Sequence, residues 1–390
     1  MSTAARVTVV LGTRPEAVKL LSVVRELRGD PGFAVRLITT GQHPEMVDQQ
    51  LAPFGERADV DLGLFRSEQS LNELMARALP PLEAELRSHP ADVVLVQGDT
   101  VSALAGALCA FQLGAVPRTL IGHVEAGLRS PERLLPFPEE VNRRLISPLA
   151  DFHLAPTPLA RSNLLREGTP DGAIFVTGNT GLDALRLALD QAPPEALSTD
   201  VLVTIHRRES WLGTACTPPV AAALFGVIAA AARQFPMLRF VLPLHPNPKV
   251  REAAYQAFSP APANVLLREP IPSYVEFAAL LASARAILTD SGGLQEEASA
   301  LRIPLLVLRE NTERPEALTN AHSLVGRDPA TFSQRLAEFL RALPARSQAH
   351  AEFRPNRVGD GYAAGRIRQA VRHVLGRGPR PDPYTSNDPA

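Results

Sequence analysis

The sequence predicts an α/β protein made of two successive parallel-sheet units. Short β-branched runs alternate with longer segments of helical period, the alternation begins afresh near Val201, and 390 residues suit two α/β domains of ordinary size. Polar residues punctuate the carboxyl ends of the runs, which is where open α/β sheets bind ligands.

The run 7–11 gives the first strand. In the helix that follows, Ala17, Leu20, Leu21, Val24 and Leu27 share one stripe and Gly29 closes it. Thr13 and Glu16 have capping-box spacing around Pro15, so unpaired helix N–H groups open just after the strand. Further strands are expected at 34–39, 93–96, 119–123, 152–154 and 174–177. The second series runs through 201–205, 238–242, 264–267, 286–290 and 304–308. Domain boundaries are placed at 1–181 and 182–361, followed by a helix over 362–375 that period alone does not place. The proline-rich end, GRGPRPDPYTSNDPA (376–390), reads as disordered.

Composition narrows the function classes. With 40 basic and 41 acidic side chains the formal net charge is -1, so no broad field draws the chain to nucleic acid or membrane and any anion site must be local. The two cysteines, Cys109 and Cys216, lack metal-ligand spacing and fit a reducing cytoplasm. The N-terminal apolar run is only a strand long, unlike a secretory signal, and no eighteen-residue apolar run occurs. A cytoplasmic, soluble protein with no membrane partner is the expectation.

The strand ends carry the candidate chemistry. Gly12-Thr13-Arg14-Pro15-Glu16 puts a guanidinium at the positive end of a helix, a place for phosphate, although alone it reads as a plain helix cap with a surface arginine. Gly98-Asp99-Thr100 ends the next strand, where an Asp is as readily an N-cap as a functional acid. His123, Glu125 and Arg129 in HVEAGLRS precede Glu139 and Glu140 in PFPEEVNRR. Asp99, Glu125 and Glu139 thus offer acid/base groups from three strand ends, against the alternative of a surface ion-pair network. In the second unit His206-Arg207-Arg208-Glu209 follows a strand, where an isolated histidine is commonly structural. Thr289-Asp290-Ser291-Gly292-Gly293 opens a helix whose amides can approach a pyrophosphate, with Gln295, Glu296 and Glu297 next on the helix. Finally, Thr312-Glu313-Arg314-Pro315-Glu316 repeats the theme seen at Thr13.

Each segment is weak alone, but the ordered set LGTRPEAVKL, TGQHPEMVDQQL, VQGDT, HVEAGLRS, PFPEEVNR, VTGNT, HRRES, LTDSGGLQEEA and TERPEA resembles the non-hydrolysing UDP-N-acetylglucosamine 2-epimerase family from Val7 to about Leu375. The resemblance implies a GT-B-like fold, two Rossmann-like domains facing each other across a cleft, with the last helix returning to the first domain and a homodimer in solution. It implies reversible epimerisation at C2 of UDP-N-acetylglucosamine by elimination and re-addition of UDP, without cofactor or metal. Carried over by position, UDP is held by Arg14, Lys19, Ser291, Gly292, Gly293 and Arg314, with Glu297 on the ribose and Phe277 against uracil. His206 belongs at the diphosphate and in the catalytic set, and Asp99, Glu125 and Glu139 serve proton transfer at C2. An activator site would use Gln42, Arg207 and His245.

The sequence also departs from the family pattern. Ile205 replaces a small residue, Pro131 a glycine, and Phe137 an aromatic that is often tryptophan. Pro272 stands where a glutamine commonly lines the uracil pocket, and it lacks an N–H. Glu68 stands where an arginine serves the activator, and that charge reversal argues against the site. Three other readings use the same residues: a hydrolysing relative that releases N-acetylmannosamine and UDP, a GT-B glycosyltransferase, and a catalytically silent sugar-nucleotide binder. All three acids and His206 are present, which disfavours the last.

Overall fold

Glu16 reaches back to the amide of Thr13 at 2.8 Å and fixes the start of a fifteen-residue helix whose apolar stripe is buried. This β1 (Ala5–Leu11) to α1 (Arg14–Arg28) step is the unit that the chain repeats. The computed structural model describes residues 4–41, 44–66, 69–114, 118–192, 199–205, 220–245, 247–318, 322–326, 328–343 and 352–386. The chain divides into two compact units, one running to Leu187 and resuming at Arg357, the other spanning Ala188–Asn356.

In the first unit, β2 (Phe33–Thr39), α2 (Pro44–Leu51), β3 (Val60–Asp61), α3 (Leu71–Ser88), β4 (Val93–Gln97) and α4 (Val101–Gln112) follow β1 and α1. The unit continues with β5 (Leu120–Val124), α5 (Glu139–Ile146), β6 (Phe152–Ala155), α6 (Pro158–Arg166), β7 (Ile174–Val176) and α7 (Thr180–Gln191). All seven strands are parallel, in the order β3-β2-β1-β4-β5-β6-β7. The order reverses between β1 and β4, and it is outside the carboxyl ends of the strands at such a switch point that open α/β sheets bind ligands. One core packs Val10, Val94, Val96 and Ile121 of the sheet against Leu74, Leu82 and Leu104 of the covering helices.

The second unit repeats the plan with β8 (Thr199–Thr204), α8 (Ala221–Gln234), β9 (Phe240–Pro243), α9 (Pro248–Ala257), β10 (Val265–Arg268) and α10 (Tyr274–Ala282). After these come β11 (Ala284–Thr289), α11 (Gly293–Leu301), β12 (Leu305–Val307), β13 (His322–Leu324) and α12 (Pro329–Arg341). Its six strands are also parallel, in the order β10-β9-β8-β11-β12-β13, and the order reverses between β8 and β11. The alanine-rich α8 packs Leu224, Phe225 and Ile228 into a core with Val201, Phe240 and Phe332.

The last helix, α13 (Ala363–Val374), belongs to the first unit. Asp183 accepts the amides of Ala363 and Ala364 at 3.0 and 2.8 Å, and Asp30 takes Arg368 and Arg372. Asn179 likewise donates its amide to Val358. These bonds move the division to Leu187 and Arg357, away from the 181/182 and 361/362 joins expected from the sequence.

The segment 376–386 corrects a second expectation, because it is ordered against the first unit. Tyr384 is buried and its amide donates to Val176 O at 2.8 Å; Arg380 bonds Gly172 O and Ile174 O and stacks over Phe175 at 4.2 Å. The prolines that make it look disordered also lower the entropy lost on fixing it, so a few anchors suffice. The expectation for residues 387–390 lies outside the described residues.

Candidate active site

At the first switch point, Gly12 allows the closest approach of two elements. A Cβ built there would lie 2.0 Å from Ser102 Oγ and 2.3 Å from Thr40 Oγ1, and those two hydroxyls are themselves 2.8 Å apart. The loop after β1 is therefore pressed onto the first turn of α4. Arg14 begins α1, half-buried. Lys19, one turn on, sets Nζ 2.5 Å from Glu125 Oε1. Glu16 is buried and takes the amides of Gly12 and Thr13 and the hydroxyls of Thr13 and Thr100. Burial pushes its carboxyl up to about 6, against the pull of those donors.

Asp99 follows β4 and is clamped from α5. Arg143 donates Nε at 3.0 Å and Nη2 to Asp99 Oδ2, and Asn142 Nδ2 reaches Asp99 O at 2.9 Å. Thr100 caps α4 through the Ala103 amide at 3.0 Å. On β5, His123 is fully buried and donates Nε2–H to Gly98 O at 2.7 Å. Burial holds its pKa down to about 4, so the ring is neutral and acts as a fixed tie between the two strand ends. Two residues on, Glu125 sits in the left-handed region at φ 63, which a side chain with a Cβ adopts only when its surroundings impose it. Gln97 Nε2 and Lys19 Nζ hold its two oxygens.

The two adjacent glutamates of α5 have different surroundings. Glu140 is held by the Ser130 amide at 2.9 Å and by Arg143 and Arg144, a structural assignment. Glu139, half-buried at the start of α5, keeps its Oε2 away from bulk solvent. Asp99, Glu125 and Glu139 thus belong to one connected set of strand-end loops and the helix that clamps them.

In the second unit, Gly292 again marks a close approach: a Cβ would lie 2.4 Å from Arg314 Nη1 and 3.0 Å from Glu313 Oε1. Arg314 is buried, its Nε 3.1 Å from Glu296 Oε1 and its Nη1 on Glu313, whose other oxygen takes Arg309 at 2.8 Å. Thr312 donates to Gln295 Oε1 at 2.8 Å, latching the Thr312–Glu316 loop to the helix that Ser291, Gly292 and Gly293 open. Glu297 accepts the Tyr274 hydroxyl at 2.5 Å, and Phe277 stands one turn along α10 from that tyrosine.

Of the proposed activator residues, His245 accepts the Asn247 amide on Nδ1 at 3.1 Å. Gln42, Glu68, His206 and Arg207 lie outside the described residues. Sequence reading gave Glu16 only its cap on the first helix and missed the supporting roles of Gln97, Asn142, Arg143, Tyr274 and Glu313. Asn142 and Arg143 sit inside a quoted motif, but nothing local to them names Asp99 as their partner. Among the described residues no group of three His, Cys, Asp or Glu side chains could hold a metal, and no helix is long and apolar enough to cross a membrane.

A family model described as UDP-N-acetylglucosamine 2-epimerase matches residues 25–372. The chain belongs to the UDP-N-acetylglucosamine 2-epimerase family. Among curated relatives, the UDP-N-acetylglucosamine 2-epimerase of Escherichia coli K12 is 40% identical over 387 residues, covering 94% of this chain and 98% of that one. Among solved structures, the UDP-GlcNAc 2-epimerase of Neisseria meningitidis bound to UDP-GlcNAc is 37% identical, with a TM-score of 0.84 over 95% of this chain and 100% of that one. The S. aureus MnaA co-structure with UDP is 34% identical, with a TM-score of 0.87 over 98% and 100%. The two parallel-sheet units of this UDP-N-acetylglucosamine 2-epimerase family member are thus GT-B-like in fold.

Proposed function

We propose that the protein interconverts UDP-N-acetylglucosamine and UDP-N-acetylmannosamine by eliminating UDP and adding it back. The observation that carries the reading is the connected acid set of the first unit, in which Asp99, Glu125 and Glu139 lie on strand-end loops and a helix joined by His123, Gln97, Asn142 and Arg143. The relatives' UDP-bound and UDP-GlcNAc-bound structures support a UDP-sugar as substrate.

A C2 proton beside no carbonyl is too weak an acid for direct removal, so C1 must lose its substituent. As the C1–O bond breaks, its electron pair goes to the departing UDP and positive charge grows at C1. The C2 proton passes to a carboxylate and a C1=C2 double bond closes, giving 2-acetamidoglucal and UDP. Re-addition runs the steps backwards, with a proton delivered to the other face of C2 and UDP oxygen returning to C1. Two faces require more than one acid, which is why three carboxylates fit the task.

The leaving diphosphate needs cationic and amide donors. Arg14, Lys19, His206, Arg314 and the amides at Ser291, Gly292 and Gly293 take that role. Glu297, oriented by Tyr274, takes the ribose hydroxyls, and Phe277 the uracil. Lys19 on Glu125 then ties the phosphate end of the substrate to its reacting carbon. The activator reading of Gln42, Arg207 and His245 is not adopted, because the sequence carries Glu68 at the position where the resemblance calls for an arginine. The same family reading makes the protein a cytoplasmic homodimer with no cofactor; sedimentation as a monomer at micromolar concentration would count against the dimer.

The test is incubation of pure protein with UDP-N-acetylglucosamine in deuterated water, followed by proton NMR. Deuterium at C2 in a mixed gluco and manno UDP-sugar pool is expected. Accumulating free N-acetylmannosamine would assign hydrolysis instead, and an unchanged substrate would reject both.

A further inference from the structure

Glu16 entered the sequence reading only as half of a capping box, yet the fold gives it four donors from two different strand ends. Its Oε2 accepts the Gly12 amide at 3.0 Å, the Thr13 amide at 2.8 Å and the Thr13 hydroxyl at 2.8 Å, all in the loop that carries Arg14. Its Oε1 accepts the Thr100 hydroxyl at 2.7 Å, in the residue next to Asp99. Only 1% of Glu16 is exposed, so it cannot touch a substrate. A capping box needs one carboxylate oxygen and one or two local donors; the bond to Thr100 spans 84 residues and caps nothing in α1.

The same two loops meet again at Gly12, where Ser102 leaves no room for a side chain, and the Thr40–Ser102 hydroxyl pair backs that contact. Burying a carboxylate is costly unless donors surround it, and a plain serine or threonine cap would start α1 without that cost. A buried, fully donated carboxylate between two loops is a rigid spacer, since moving either loop strips a bond from a desolvated charge.

We propose that Glu16 is a positioning residue that holds the Arg14 loop and the Asp99 loop in fixed register, so that the group binding the leaving diphosphate and the acid serving C2 stay at a set distance. This rests on the epimerase reading above. It predicts that loosening the bond impairs the chemical step while nucleotide binding persists, because UDP alone needs only one side of the register.

The experiment measures C2 deuterium exchange and UDP affinity in full-length wild type, Glu16→Gln, Thr100→Val, Thr100→Ser and the Glu16→Gln/Thr100→Val double variant, each checked for wild-type far-ultraviolet circular dichroism. Thr100→Val is expected to lower the kcat of exchange about tenfold or more while UDP affinity stays within about threefold, the split a displaced acid produces. Thr100→Ser, which keeps the hydroxyl, should restore most of the rate. The double variant should be no slower than Thr100→Val alone, because that change already removes the Glu16–Thr100 bond together with the Thr100 cap on the Ala103 amide, and Glu16→Gln then has no bond to Thr100 left to weaken. Full-rate Thr100→Val, a Thr100→Ser as slow as Thr100→Val, or rate losses that simply multiply in the double variant would each overturn the proposal. Absence of C2 exchange in the wild type would instead overturn the epimerase reading on which it rests.

Discussion

Replacing Arg143 by Met tests how the acid set is held. Arg143 is 4% exposed on its side chain and serves two carboxylates at once, Glu140 at 0% and Asp99 at 23% exposure. Removing one partner of a buried ion pair costs about 3–5 kcal/mol, because the charge left behind stays desolvated. Here Glu140 keeps the Ser130 amide and Arg144, and Asp99 is partly open to water, which places the loss near the lower bound, about 3 kcal/mol. The single tryptophan, Trp211, falls in the sequence of the other unit, so its fluorescence is a poor monitor. Native-state hydrogen exchange of peptides covering 93–97 and 120–124 reports the right unit, and about 3 kcal/mol appears there as about a hundredfold loss of protection. Arg143→Lys, which keeps the charge but not the planar fork, should fall between wild type and Met. A loss of protection below about fivefold in Arg143→Met, roughly 1 kcal/mol, would show that other groups neutralise Asp99 and Glu140 and would refute the reasoning.

Three further outcomes are expected. Asp99→Asn and Glu125→Gln should each reduce C2 deuterium exchange by about a hundredfold or more with UDP affinity within about threefold, read by NMR and calorimetry; lost binding would make these acids structural. Gly292→Ala must displace the Arg314 guanidinium, since the new methyl would meet Nη1 at 2.4 Å, and calorimetry should show UDP binding weakened by about tenfold, one charge-assisted contact. Burial pushes the Asp183 carboxyl from 3.8 up to about 7, so between those pH values the folded state holds a proton that the unfolded state has released. Stability therefore falls as pH rises through that window, by up to about 4 kcal/mol, and urea midpoints at pH 5 and pH 8 should differ less in Asp183→Asn than in wild type.

Much of the fold was legible because the signals that make strands and helices are local. The Ala17, Leu20, Leu21, Val24 and Leu27 stripe needs only a period, and it is buried as read. The same holds for the strand-end positions of Arg14, Asp99, Glu125 and Ser291, since a β-branched run and the polar residue ending it are neighbours in sequence. Two strands escaped, β3 (Val-Asp) and β13 (His-Ser-Leu): each is as short as β7 or shorter but lacks the apolar run Ile-Phe-Val that marks β7, and each pairs on one side only at a sheet edge. The 376–386 segment was misjudged for a related reason. Its anchors, Val176 O and the Phe175 ring, lie some two hundred residues away, and composition carries no information about them.

The sequence by itself determined the parallel α/β plan, the two-unit repeat and the ordered motifs that identify the family. Tertiary structure alone decided which partners hold each carboxylate. Glu139 and Glu140 are adjacent in the chain, yet only packing shows Glu140 consumed by Ser130, Arg143 and Arg144. Glu16 and Thr100 are 84 residues apart, yet one hydrogen bond joins them. Periodicity is written in near neighbours, whereas a partner for a buried charge is chosen by whichever strand end the sheet order brings alongside, here β4 beside β1.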